Sequence, residues 1–166
     1  MRRVVVVGSG GAGKSTFARR LGERTGLPVI HLDEHFWRPG WDPTPDDEWR
    51  QVVTALAAGD EWIIDGNYGG TIDVRARAAD TAVFLDYAPL GCIARALRRS
   101  LANYGRPVQA AGCPERISFE FLRWIENYRR NSRPRALEHL GAGSPDLTLH
   151  VLRRPRDAAR FLAAPG

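Results

Sequence analysis

Cysteine and lysine are both scarce in this chain of 166 residues. Cysteine occurs only as Cys92 and Cys113, with no partner spacing between them. That excludes a disulfide scaffold and a cysteine-ligated zinc site, and it leads us to expect a reduced, cytoplasmic setting. Lysine occurs once. Of the 24 basic residues, every one but Lys14 is arginine. Long apolar runs are missing as well. The valines at 4–7 stop at Gly8, far short of the ~18 residues a membrane span requires. They read as a buried strand rather than a signal segment, and no membrane partner is expected. There is no repeat, low-complexity tract or linker. With 43% apolar and 26% charged residues, one globular domain over 1–166 is expected.

The charge is unevenly spread. Residues 1–90 carry 10 basic and 13 acidic side chains, and residues 91–166 carry 14 and 6. The basic excess therefore belongs to the C-terminal half, where it must face an anion or solvent.

Apolar periodicity alternates between strand and helix. Residues 4–7, 27–32, 62–65, 81–85 and 147–152 read as strands. Residues 14–24, 46–58, 71–79, 89–103 and 155–162 read as helices, and 115–140 as a long helix interrupted near Pro134. Residues 35–45, rich in Trp and Pro, read as an irregular excursion, and 104–114 as a loop. Strands alternating with helices imply an α/β protein with a parallel sheet covered on both faces.

Between the first strand and the first helix lies Gly8-Ser9-Gly10-Gly11-Ala12-Gly13-Lys14-Ser15, a full match to GxxxxGK[ST]. Glycines let backbone N–H groups turn inward around a phosphate, and the following helix aims its positive end at the same anion. Gly8, Gly10, Gly11, Ala12, Gly13, Lys14, Ser15 and Thr16 would form this cradle for ATP. Lys14 supplies a flexible point charge for the outer phosphates, a task for which a planar guanidinium is unsuited. Ser15 supplies a hydroxyl for Mg²⁺.

Asp33, Asp65 and Asp86 each close a strand at the end of the sheet where such ligands bind. A strand-ending Asp can also merely cap a loop. Asp65 is the expected holder of a Mg²⁺-bound water. Asp33 is expected as base or ligand for an acceptor hydroxyl, with Glu34 a weaker candidate, and Asp86 reads as structural. His31 and His35 read as structural too.

The segments GSGGAGKST at 8–16, HLDEHFWRPGW at 31–41, WIIDGNY at 62–68 and FLRWIENY at 121–128 resemble the adenylate-kinase-like small P-loop kinases, and most of all their DNA topology modulation (FlaR-like) branch. The resemblance implies a three-layer P-loop NTPase with a five-stranded parallel sheet in the order 2-3-1-4-5. It also implies ATP with Mg²⁺, a substrate-binding excursion at about 34–60 and an Arg-rich helical lid at about 104–140. The chain departs from adenylate kinases at its third strand, where Asp-Gly-Asn-Tyr replaces Asp-Gly-Phe-Pro-Arg. It also lacks zinc cysteines in the lid.

By the same analogy Arg95 and Arg98, with Arg99 beside them, would touch nucleotide phosphates, and Arg106 would close in from the lid. Arg38 would meet an anionic acceptor. Trp41 and Asn67, with Tyr68, would line the acceptor pocket. Arg116, Arg123 and Arg130 share a helical face that is either solvated or turned to the transferred group. The expectation is an ATP-dependent phosphotransferase acting on a small nucleotide-like or hydroxylated acceptor. Its rivals are a nucleotide-regulated nucleic-acid-binding protein and a slow ATPase switch.

Overall fold

The structure is a computed structural model that describes residues 1–164. Strand β1 (Arg3–Gly8) lies at the centre of the sheet, between β3 (Trp62–Asp65) and β4 (Thr81–Leu85). Strand β2 (Val29–His31) pairs with β3, and β5 (Thr148–Leu152) pairs with β4. All four pairings are parallel, so the order is β2-β3-β1-β4-β5, as expected. The valine run is continuous because both faces of β1 are covered. Val5 and Val7 join Trp49, Ile72, Phe84 and Leu140 on one face, while Val4 and Val6 join Phe17, Leu21, Cys92 and Ile125 on the other.

Helices α1 (Lys14–Thr25), α5 (Pro89–Ala102) and α8 (Pro155–Ala163) supply the second of these layers. Helices α3 (Asp46–Ala57), α4 (Ile72–Ala78) and α7 (Arg133–Gly141) supply the first. Helix α6 (Phe119–Asn131) lies across the end of the sheet, with Ile125 in one core and Tyr128 in the other. Among the described residues no helix is long and apolar enough to cross a membrane.

Two regions differ from the sequence reading. Residues 32–36 form a short helix, α2 (Leu32–Phe36), so Asp33 sits on a helical first turn rather than at a strand end. The i, i+4 pair Leu32 and Phe36 explains this, since Leu32 is buried and Phe36 packs against Trp49 and Tyr68. A small antiparallel hairpin of Trp37–Arg38 and Asp42–Pro43 follows, closed by Thr44, whose N–H and hydroxyl both donate to the Phe36 carbonyl. The expected long helix is two helices. The first begins only after Ser118, whose hydroxyl caps the Phe121 N–H, because residues 114–117 are tied into the preceding loop. Ser132 separates it from α7, where Pro134 occupies a first-turn position that needs no N–H donor.

One buried cation holds the turn after β3. Arg75 on α4 is fully buried and donates to the carbonyls of Gly66 (2.8 Å), Asn67 (2.9 Å), Tyr68 (3.3 Å) and Thr71 (3.3 Å). Burial pushes its guanidinium down to about 10, partly offset by the charge of Asp65. Arg75→Ala would leave these carbonyls unpaired in a dry interior. It is expected to cost about 3 kcal/mol in urea denaturation, and a loss below ~1 kcal/mol would contradict this account.

Candidate functional site

The phosphate loop is built by close packing. Gly8 (φ +149°) has no room for a side chain because the Leu85 carbonyl would lie 2.6 Å from a Cβ. Gly11 (φ +68°) would meet the Cys92 carbonyl on α5, and Gly10 would meet Phe121 and Ile125 on α6. The loop is thus seated between the two helices that follow β4. Gly13 (φ +88°) has open space around it and is required for its backbone conformation alone. Beyond it the helix begins. The Phe17 N–H makes the first turn's bond to the Gly13 carbonyl, so the amides of Lys14, Ser15 and Thr16 precede the helical ladder. Ser15 and Thr16 are exposed there, and buried Ala12 closes the loop through its N–H to the Ser9 carbonyl.

Lys14 folds its Nζ back over this loop and donates to the Gly8 (3.1 Å) and Ser9 (3.0 Å) carbonyls. Burial lowers its pKa, against the opposing pull of the Asp33 and Asp65 carboxylates. Those two carboxylates therefore share the neighbourhood of Lys14. Asp65 is buried. Its Oδ1 accepts from His31 Nδ1 at 2.8 Å, while its Oδ2 has no partner. That bond raises the His31 pKa, more than burial lowers it. Among the described residues no cluster of three His, Cys, Asp or Glu side chains forms a metal cage. A Mg²⁺ ion brought by a nucleotide does not need one, since it keeps waters and phosphate oxygens and takes only one or two protein ligands. The exposed Ser15 hydroxyl and the unpartnered oxygen of Asp65 fit that requirement.

Asp33 faces the turn after β3. Its Oδ1 accepts from the Tyr68 hydroxyl at 2.5 Å. Burial, then the adjacent carboxylate, raises the Tyr68 pKa, so the phenol stays a donor. Tyr68 adopts φ +29°, which an ordinary L-residue rarely does. Its backbone is held by Arg75 and its ring packs on Phe36 and Trp49. Asn67 is held from the other side, where its Oδ1 accepts from Tyr128 on α6 (3.0 Å), leaving its amide NH₂ to donate. Trp37, Trp41 and Phe36 form edge-to-face pairs beside this turn.

The arginines divide. Arg95 Nε donates to the Gly11 carbonyl (2.7 Å), and its guanidinium lies 5.4 Å from the centre of the Tyr87 ring. It therefore buttresses the loop from behind. Arg98 and Arg106 are exposed. Arg99, on the same helix, acts electrostatically on Lys14 and pairs with buried Glu115, which also accepts from Ser100 (2.7 Å) and Gln109 (3.0 Å). Arg38 forms a two-bond contact with Glu48 (2.7 and 2.8 Å). Arg123 and Arg130 are exposed, and Arg116 lies 5.8 Å from the Trp41 ring centre. Asp86 is structural, held by both guanidinium arms of Arg133 (3.0 and 2.9 Å).

Trp41 (φ +65°) donates from Nε1 to the Pro114 carbonyl (3.0 Å), joining the hairpin to the loop after α5. A cleft of about 340 Å³ opens between them, lined by Trp41, Tyr104 and Arg116 among others. A second groove, of about 410 Å³, lies on the outer face of α6 and touches none of the loop residues. Arg75 and Glu115 escaped the sequence reading. Arg75 had a signal, since it lies three residues after Ile72 and so falls on the apolar face of its helix.

No family model matches the chain. Its sequence is similar to that of a shikimate kinase from Rhodococcus jostii (strain RHA1), 28% identical over 136 residues that cover 73% of this chain and 78% of that protein. Its structure is similar to the shikimate kinase from Acinetobacter baumannii in complex with shikimate. There the TM-score is 0.66 at 16% identity, over 98% of this chain and 89% of that one. It is also similar to a sugar kinase from Janibacter sp. HTCC2649, with a TM-score of 0.52 at 21% identity, over 98% and 93%. The fold is that of the small P-loop kinases, and fold, loop and sequence relative together make the chain an enzyme of that type.

The packing separates two glycines by mechanism. Gly11→Ala is expected to cost about 3 kcal/mol, through clash with α5 added to backbone strain. Gly13→Ala is expected to cost only about 1 kcal/mol, from strain alone. Urea denaturation checks both, and equal losses would contradict the seating of the loop on α5.

Proposed function

We propose that this enzyme is a phosphotransferase that moves the terminal phosphoryl group of Mg-ATP to a hydroxyl of a small acceptor. We place it in the DNA topology modulation branch of the small P-loop kinases. One observation carries the reading. The loop with Lys14 follows the end of β1, and the Asp33 carboxylate and its Tyr68 donor follow the ends of β2 and β3, so in a parallel sheet all lie at the same end. The relatives named above, shikimate kinases and a sugar kinase, support a small hydroxylated acceptor.

In this reading the amides from Gly10 to Thr16 ring the phosphates. Lys14 leaves the Gly8 and Ser9 carbonyls for phosphate oxygens. Ser15 and the free oxygen of Asp65 would hold Mg²⁺, whose charge would offset that of the phosphates. Asp33 receives the acceptor hydroxyl's proton as the new O–P bond forms and the bond to ADP breaks. Tyr68 orients Asp33, and the Asn67 amide donates to an acceptor oxygen. Arg99, held by Glu115, acts electrostatically on Lys14, Arg95 supports the loop, and the exposed Arg98 and Arg106 remain for the nucleotide phosphates. The loop at 104–118 acts as the lid, and excluding water is its task.

The expected results are sharp. Lys14→Ala abolishes acceptor-dependent ADP release while circular dichroism shows a folded protein. Asp33→Asn lowers kcat about 10²–10⁴-fold, the usual worth of a general base. Wild-type turnover in folded Lys14→Ala would overturn the proposal.

A further inference from the structure

We propose, resting on the reading of Asp33 as the hydroxyl-activating group, that the acceptor carries no negative charge. It is an uncharged hydroxylated compound of the sugar, cyclitol or nucleoside kind. The chain's charge is divided in three. Residues 1–30, which contain the phosphate loop, hold six basic side chains and one acid. Residues 81–166, which supply α5, the lid loop and α6, hold fourteen and seven. Residues 31–80, which supply Asp33, the hairpin, α3 and the turn with Asn67 and Tyr68, hold eleven acids and only four arginines. Asp60, Glu61 and Asp80 of this stretch lie at the opposite end of the sheet, where Glu61 pairs with Arg2 and Asp80 accepts from the Arg2 and Arg3 amides; without them the stretch about the acceptor site still carries eight acids against four arginines. A field of that sign repels an approaching anion and leaves a neutral molecule untouched.

The four arginines do not relieve this. Arg38 is engaged by Glu48 through two bonds. Arg50 and Arg77 both bind Asp73, at 2.7 and 2.6 Å, and Arg50 is the main cause that holds the Asp73 carboxyl down to about 2. Arg75 is fully buried and directed at backbone carbonyls. A carboxylate or phosphate on the acceptor would have to share Arg38 with Glu48, or Arg50 and Arg77 with Asp73. Of the cations outside this stretch, Lys14 is directed at the donor phosphates, and Arg116 lies against the Trp41 ring on the cleft shared with the lid loop. What the acceptor side does offer is a carboxylate for a hydroxyl, the free amide of Asn67, and the half-buried rings of Trp37 and Trp41. Those groups suit a molecule with hydroxyls at its rim and C–H bonds or a base on its face.

Pairs of an anionic compound and a neutral counterpart test this: shikimate and its methyl ester, gluconate and glucose, AMP and adenosine. Each is titrated into the wild-type enzyme with Mg²⁺ and a non-hydrolysable ATP analogue, with tryptophan fluorescence as the readout. Each is then assayed with ATP for ADP release. The neutral member of at least one pair is expected to bind about tenfold or more tighter than its anion, with no pair reversed. In Glu48→Gln, which frees Arg38, that gap is expected to shrink at least about threefold. Tighter binding of an anion in any pair, or no binding by any neutral member, overturns the charge rule. Neutral binding without ADP release from any acceptor would uphold the charge rule while refuting phosphoryl transfer.

Discussion

The amides of Lys14, Ser15 and Thr16 start a helix in which no earlier carbonyl can reach them, and the surrounding structure arranges where they point. β1 delivers the chain to this point in the middle of the sheet, with both faces covered. Gly8 lets β1 run hard against β4, Gly11 lets α5 close on the loop, and Gly10 does the same for α6. The loop is therefore held by packing against β4, α5 and α6. Lys14 completes it by occupying two loop carbonyls with an ammonium group that the interior already disfavours. A phosphate would offer that ammonium a better partner at little cost in rearrangement.

The same economy governs the acceptor side. Arg75 spans the turn after β3 and holds Tyr68 in a backbone conformation that a tyrosine does not choose. Tyr68 in turn holds Asp33. Tyr128 reaches from α6 to fix Asn67, so the helix that packs on the phosphate loop through Phe121 also touches the acceptor turn. One element thereby joins the two halves of the candidate site. Trp41 and Pro114 make a second junction, from the hairpin to the loop after α5. In the stretch that supplies the acceptor turn and the hairpin, acids outnumber arginines, which suits a reaction in which only one reactant is highly anionic.

Much of this was legible in the residues. The strands, the phosphate loop and the surrounding helices followed from the valine run, the glycine spacing and the apolar periodicity, because each is a local rule that the tertiary structure did not override, whereas the order of the sheet followed only from the family resemblance. The short helix at 32–36 was hidden by its length. Five residues carry too little periodicity to outweigh the apolar strand before them, and only the packing of Phe36 on Trp49 and Tyr68 reveals it. The start of α6 was misplaced because Glu115 looks like a helical first-turn acid, whereas it is buried under three side-chain donors. Pairings between distant residues were beyond sequence reasoning. Nothing in the order of residues announces that Arg38 meets Glu48, that Arg95 turns to the Gly11 carbonyl, or that Arg99 pairs with Glu115.

The most direct measurement is a crystal structure of the wild-type protein with Mg²⁺ and a non-hydrolysable ATP analogue. The account requires the phosphates to lie within the amides of residues 10–16, with Lys14 Nζ moved from the Gly8 and Ser9 carbonyls onto phosphate oxygens. A nucleotide bound elsewhere, with Lys14 still on those carbonyls, would contradict it.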